Sequence, residues 1–173
     1  RPAFLKFRGN SNMFYMPKKG HNLPYDPFKA IVSPRPIGWI SSKDKEENIN
    51  LAPYSFFNAI ADKPPMVMFS TTGKKVGRKD IKDSFKNIVA TKEFVVNIVS
   101  EALISEMNLT SGSYPSEVDE FVLTNLKKSD CKLVSVPRIS ESPASLECRL
   151  FKVVKLPGDD NNIIIGEVVG IHL

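Results

Sequence analysis

Hydroxyl, amide and cationic side chains recur along this chain at spacings that suit an anionic ligand. Arg35, Ser41 and Ser42 punctuate an otherwise apolar segment, Asn50, Tyr54, Ser55 and Asn58 a second, and Ser70, Thr71 and Thr72 close a third. Downstream, Lys82, Asp83, Ser84, Lys86 and Asn87 crowd the start of a helical pattern. A phosphate of roughly two negative charges needs several N–H and O–H donors and a cation, and a helix start bearing serine and lysine offers both. The spacing leaves a second reading open, in which Asp83 and Ser84 only cap the helix or face solvent.

Other chemistries lack their residues. His21 and His172 are the two histidines, so no HExxH motif or histidine cluster can form, and no metal site is expected. Cys131 and Cys148 match no CxxC spacing and are expected to be free thiols, with Cys148 a small core residue on the face of two leucines. No GxGxxG follows a strand, and there is no GxSxG elbow. The glycines at 73 and 77 sit too close together for a P-loop, and the Lys-Ser/Thr ending is missing. The paired carboxylates Glu46–Glu47 and Asp159–Asp160 read as solvated loop charges. With no catalytic residue expected among its own side chains, the protein is best served by a bound cofactor.

The chain has 173 residues, 42% hydrophobic and 25% charged, which suits one globular domain and excludes a low-complexity tail. No apolar run reaches the ~20 residues of a membrane span, and the first residues lack the pattern of a secretory signal, so the expected compartment is the cytoplasm. The net charge of +5 is concentrated: residues 74–86 hold six basic side chains against Asp80 and Asp83, whereas residues 101–120 hold five acids and no base. A compact positive segment suits a small polyanion better than a duplex, and no nucleic-acid partner is expected.

The elements that must position these groups are mostly strands. Residues 30–32, 37–40, 66–70, 93–99, 146–155 and 163–171 are rich in β-branched and aromatic residues, and Pro34 and Pro36 belong at an edge, bulge or strand start. Turn chemistry over 156–161 predicts an antiparallel hairpin between the last two strands. Helical periodicity is confined to residues 80–91, 101–109 and a segment starting at Ser116, where Ser116 and Asp119 form a capping pair. Strands that outnumber helices without alternating with them predict a mostly antiparallel sheet or barrel with helices outside.

Seven segments in order, PRPIGWISS (34–42), NLAPYSFFN (50–58), PPMVMFS (64–70), KDSFKNI (82–88), EFVVN (93–97), SPASLEC (142–148) and IIIGEVVGIH (163–172), resemble the flavin reductase-like family of FMN-binding split-barrel proteins. The resemblance runs from about residue 13 to residue 173 and leaves residues 1–12 as an N-terminal extension. It implies a mainly β fold, a six-stranded antiparallel split β-barrel with a few peripheral helices, and a homodimer with FMN at or near the dimer interface. The chain stops inside an apparent strand where family members continue, so part of the barrel edge or dimer contact is expected beyond residue 173. The basic stretch 74–79 lengthens the connection before the KDS motif.

By resemblance, Arg35, Ser41 and Ser42 hold the ribityl phosphate or flavin edge. Asn50, Ala52, Pro53, Tyr54 and Ser55 line the isoalloxazine and ribityl chain, Ser70 lies on the next strand, and Lys82, Asp83, Ser84 and Asn87 form the phosphate side. Trp39, Phe56 and Phe57 either stack on flavin or fill the core. Glu167 and His172 either face the nicotinamide side or lie on an ordinary exposed strand face.

The activity this implies is that of an NAD(P)H:flavin oxidoreductase, with NADH or NADPH as donor of hydride to flavin N5 and an oxygenase as a further partner. The alternative is an FMN-binding electron carrier or sensor without efficient turnover.

Overall fold

The computed structural model describes residues 13–73 and 81–173. The N-terminal extension and the basic stretch 74–79 fall outside the described residues. Two compact units divide the chain, one ending at Pro34 and one running from Arg35 to Leu173.

The described part of the first unit holds a single 3-10 turn, Pro17–Lys19, and one short helix, α1 (Pro27–Ile31). Asp26 caps α1 by accepting from the Phe28 amide at 3.0 Å, and Pro27 occupies the first helical position, where its missing N–H costs nothing. No strand forms over residues 30–32: Ala30 and Ile31 close α1, and Val32 is its C-cap. The Asp-Pro start signal outweighs the β-branched pair Ile31 and Val32.

The second unit is built on β1 (Gly38–Lys43), β2 (Ile49–Tyr54), β3 (Phe57–Asp62), β4 (Pro65–Thr71), β5 (Glu93–Ile98), β6 (Lys128–Ser129), β7 (Arg138–Ile139), β8 (Ser145–Lys155) and β9 (Asn162–His172), with α2 (Asp83–Thr91), α3 (Ile104–Leu109) and α4 (Glu120–Thr124) between them. Seven strands form one antiparallel sheet in the order β2-β1-β5-β8-β9-β4-β3, and β6 pairs with β7 separately. β8 and β9 form the expected hairpin. The count is seven where the resemblance implied six. β3 pairs with β4 alone at the edge of the sheet and is mostly exposed.

Alternation along the strands sorts side chains onto two faces. One face carries Ile40, Tyr54, Val67, Phe69, Phe94, Val96, Cys148 and Ile164, which pack as a single core. The rings of Tyr54 on β2 and Phe69 on β4 stand 4.7 Å apart, although β1, β5, β8 and β9 all lie between those two strands in the hydrogen-bonded order. The sheet therefore curls until its ends meet, which is the split-barrel arrangement. Gly166 on β9 gives the Phe94 ring its space: a Cβ there would stand 2.4 Å from Cζ of Phe94. α2 lays Ile88 into this core and Phe85 against it.

The other face carries Trp39 and Leu51, packed with Leu103, Phe121 and Ile139. Trp39 is fully buried and its indole N–H donates to Thr110 Oγ1 at 2.9 Å. α4 begins later than expected. Asp119 is its N-cap, accepting from the Phe121 amide at 2.9 Å, and Ser116 precedes the helix in a turn closed by the Val118 N–H on the Pro115 carbonyl. No helix among the described residues is long and apolar enough to cross a membrane.

Candidate functional site

The expected ligand-binding residues converge where α2 starts. Ser84, in the first turn of α2, is buried, and its Oγ accepts from Asn50 Nδ2 of β2 at 2.8 Å. One turn on, buried Asn87 donates from Nδ2 to Ser42 Oγ of β1 at 3.3 Å. Tyr54, also on β2, shares a side-chain hydrogen bond with Ser84. Period-two spacing puts Asn50, Ala52 and Tyr54 on one face of β2, the face that α2 covers. Two strands and one helix thus bring these polar groups within reach of one another around the Ser84 hydroxyl.

Beside this cluster lies a cleft of about 370 Å³, within the size range of small-molecule sites. Asn50, Asp83, Lys86 and Asn87 line one side and the β1–β2 turn, with Asp44 and Lys45, the other. Its charged lining is mixed, with Asp44, Glu46 and Asp83 against Lys45 and Lys86. Burial pushes the Tyr54 hydroxyl up to about 12, with Asp83 and Glu120 adding to the rise against the hydrogen bond with Ser84. Tyr54 therefore stays neutral at physiological pH.

The sequence does not single out Glu120. It is buried at the start of α4 and its Oε2 accepts from the Leu51 amide at 2.9 Å. Burial pushes its carboxyl up to about 7, and Asp83 and Asp119 reinforce the shift. One acid beside Asp119 in a short amphipathic stretch gives no sign that it will fold onto the backbone of β2.

The remaining candidates are distributed elsewhere. Ser41 faces away from Ser42, fully buried, and donates to the Pro137 carbonyl at 2.7 Å while accepting from Asn97 Nδ2 at 3.2 Å. The structure does not bring it to the cluster. Arg35 lies over the Phe56 ring, 5.7 Å from its centroid, and the Ser70 amide donates to the Phe56 carbonyl at 2.8 Å, so Arg35 and Ser70 gather around Phe56. Ala52 packs against the main core, while Pro53 and Ser55 are half-buried at the end of β2 and in the turn after it. Trp39 is core, Glu167 is exposed, and His172 contacts Glu147.

Residues 32–173 match the flavin reductase like domain, and the chain belongs to that family. A protein of Aquifex aeolicus is 43% identical over 140 residues, covering 81% of this chain and 69% of its own length. Among solved structures, nitrilotriacetate monooxygenase component B from Bacillus cereus superposes with a TM-score of 0.84 at 30% identity, covering 95% of this chain and 83% of that one. The 2-nitrobenzoate 2-nitroreductase NbaA of Pseudomonas fluorescens gives 0.76 at 26% identity, covering 93% and 76%.

Proposed function

We propose that this protein is an FMN-dependent oxidoreductase that takes its reducing equivalents from NADH or NADPH. The observation that carries the proposal is the convergence of Ser42, Asn50, Tyr54, Ser84 and Asn87 on the start of α2, in a chain of the flavin reductase like family. The donor set suits a flavin mononucleotide: hydroxyls and carboxamides for the ribityl chain, and Lys82, Lys86 and the helix dipole for its phosphate.

When bound, the flavin supplies a hydride acceptor at N5 for the nicotinamide C4 hydride, together with a store for the two electrons. The chain's own residues have a narrower task. Asn50 and Ser84 orient each other, so the carboxamide and the hydroxyl are held in place at the helix start without reorganisation. Neutral Tyr54 can donate its hydroxyl proton to a ligand oxygen and cannot repel a phosphate. Asp83 supports the helix start, while Lys82 and Lys86 offset its charge.

The partners belong to the same reading. A homodimer, and an oxygenase that consumes reduced flavin, are part of the proposal. In support of the second, the B. cereus structure at 30% identity is a component of a monooxygenase.

The test is optical. Purified protein is expected to carry or take up FMN, identified after release by chromatography, and its visible band is expected to bleach anaerobically on addition of NADH or NADPH. Uptake without bleaching by either nucleotide would favour the electron carrier or sensor. Protein that takes up no FMN would refute both readings.

A further inference from the structure

On the sheet face opposite the main core, three side chains with metal-ligand chemistry come together. Cys131 lies in the segment after β6, Glu147 on β8 and His172 at the end of β9, yet one ligand atom from each falls within 4.8 Å of the others. They are 16 and 25 residues apart in sequence, and only the pairing of β8 with β9 and the fold of the 130–136 segment across them make the group.

The cluster is built rather than incidental. Glu147 is 1% exposed, and its carboxylate accepts from three successive backbone amides: Lys132 at 2.8 Å on Oε1, and Leu133 at 2.6 Å and Val134 at 3.0 Å on Oε2. These bonds fix the carboxylate and the chain that carries Cys131 in one frame. His172 Nε2 stands 2.6 Å from Glu147 Oε1. Register slips between Glu147 and Cys148, so that Val169 is the extra residue of a bulge on β9. Gly170, opposite Glu147, leaves the carboxylate its space, since a Cβ there would stand 3.3 Å from Cδ. Cys131 borders the apolar group of Val95, Val134 and Val136, which lowers the local dielectric.

We propose that Cys131, Glu147 and His172 form a binding site for a borderline-soft divalent cation of the Zn²⁺ class, with a fourth position open to water. Thiolate, carboxylate and imidazole on three separate elements are the donors such an ion selects, and three protein ligands plus one open position is a known zinc arrangement. Tetrahedral coordination with bonds of ~2.0–2.3 Å separates ligand atoms by about 3.4 Å. The ion would therefore part His172 from Glu147 by less than ~1 Å, and His172, half-buried at the end of β9, can make that move. On binding, the thiol proton leaves to solvent and the Cys131 sulfur bonds the metal as thiolate. This proposal is independent of flavin binding.

Co²⁺, added to the reduced, chelator-treated full chain, is the probe. One equivalent is expected to raise a near-ultraviolet thiolate-to-cobalt band, which one equivalent of Zn²⁺ then removes. Cys131→Ser is expected to abolish the band, and His172→Ala to weaken binding by at least the ~10–100-fold typical of losing an outer partner. The absence of a thiolate band, or a Cys131→Ser chain that keeps its Co²⁺ affinity, would overturn the proposal. A second measurement needs no variant: Zn²⁺ is expected to protect Cys131 from iodoacetamide in the unmodified chain, and equal alkylation with and without Zn²⁺ would also overturn it.

Discussion

Asn50 donates to the Ser84 hydroxyl across 2.8 Å, joining the middle of β2 to the first turn of α2. This bond organises the proposed phosphate side of the site, because it fixes the Ser84 hydroxyl at the start of α2. Replacing Ser84 with alanine is expected to weaken FMN about 10- to 100-fold, the worth of one hydrogen bond to a charged group. Riboflavin, which lacks the phosphate, is expected to lose much less. Titration of both ligands against the two proteins checks this, and equal losses would move the helix start to another part of the flavin. Lys82→Ala is expected to show the same selectivity.

Glu120 predicts a pH dependence of stability. Its carboxyl is raised in the folded state from an ordinary 4.5 to about 7, so between those values the folded chain binds the proton more tightly than the unfolded one. Stability at this group is therefore greatest below pH 4.5, declines as pH climbs through the window, and levels off above about 7. Glu120→Gln keeps an acceptor for the Leu51 amide and removes the titration. At about pH 8 the variant is expected to be more stable than the parent by on the order of 2 kcal/mol, with the difference fading as the medium is acidified. Denaturant melts across that range measure it, and an unchanged pH slope would contradict the assignment.

Gly166 and Phe94 make a steric pair. A methyl at 166 meets the Phe94 ring well inside contact distance, so Gly166→Ala is expected to destabilise the fold by about 1–3 kcal/mol. Adding Phe94→Leu is expected to recover part of the loss, and a double-mutant cycle gives the coupling. Strict additivity would place the clash elsewhere.

Trp39 is the single tryptophan, so its fluorescence tracks unfolding without interference from another indole. Thr110→Val removes the acceptor for its buried N–H and is expected to cost about 1–3 kcal/mol. The measurement is the denaturant midpoint read at Trp39.

Much of this architecture is legible in the sequence. The long strands β8 and β9 and their hairpin come from β-branched runs split by Pro157 and Gly158, and α2 from the spacing of Phe85, Ile88 and Val89. The misses have local causes. A capped start at Asp26 and Pro27 turns residues 30 and 31 into helix, and Asp119 rather than Ser116 caps α4. The edge strand β3 is paired on one side and follows β2 after two residues, so the two strands run together in the sequence. Within the site, Ser42, Asn50, Ser84 and Asn87 can be read from their motifs, but Ser41 cannot be separated from Ser42 without the pleat that sends neighbours to opposite faces. Glu120, and the trio of Cys131, Glu147 and His172, depend on contacts between distant segments that no spacing rule encodes.

α2 has two jobs in nine residues. Ile88 packs into the main core while Ser84 and Asn87 hydrogen-bond to β2 and β1, whose connecting turn frames the cleft. A ligand held at its first turn is therefore expected to stabilise the packing of Ile88 in the core as well. Amide hydrogens along α2 and the facing stretch of β1 would slow their exchange together on loading, so that a small molecule held at one rim reports on the tightness of the whole interior.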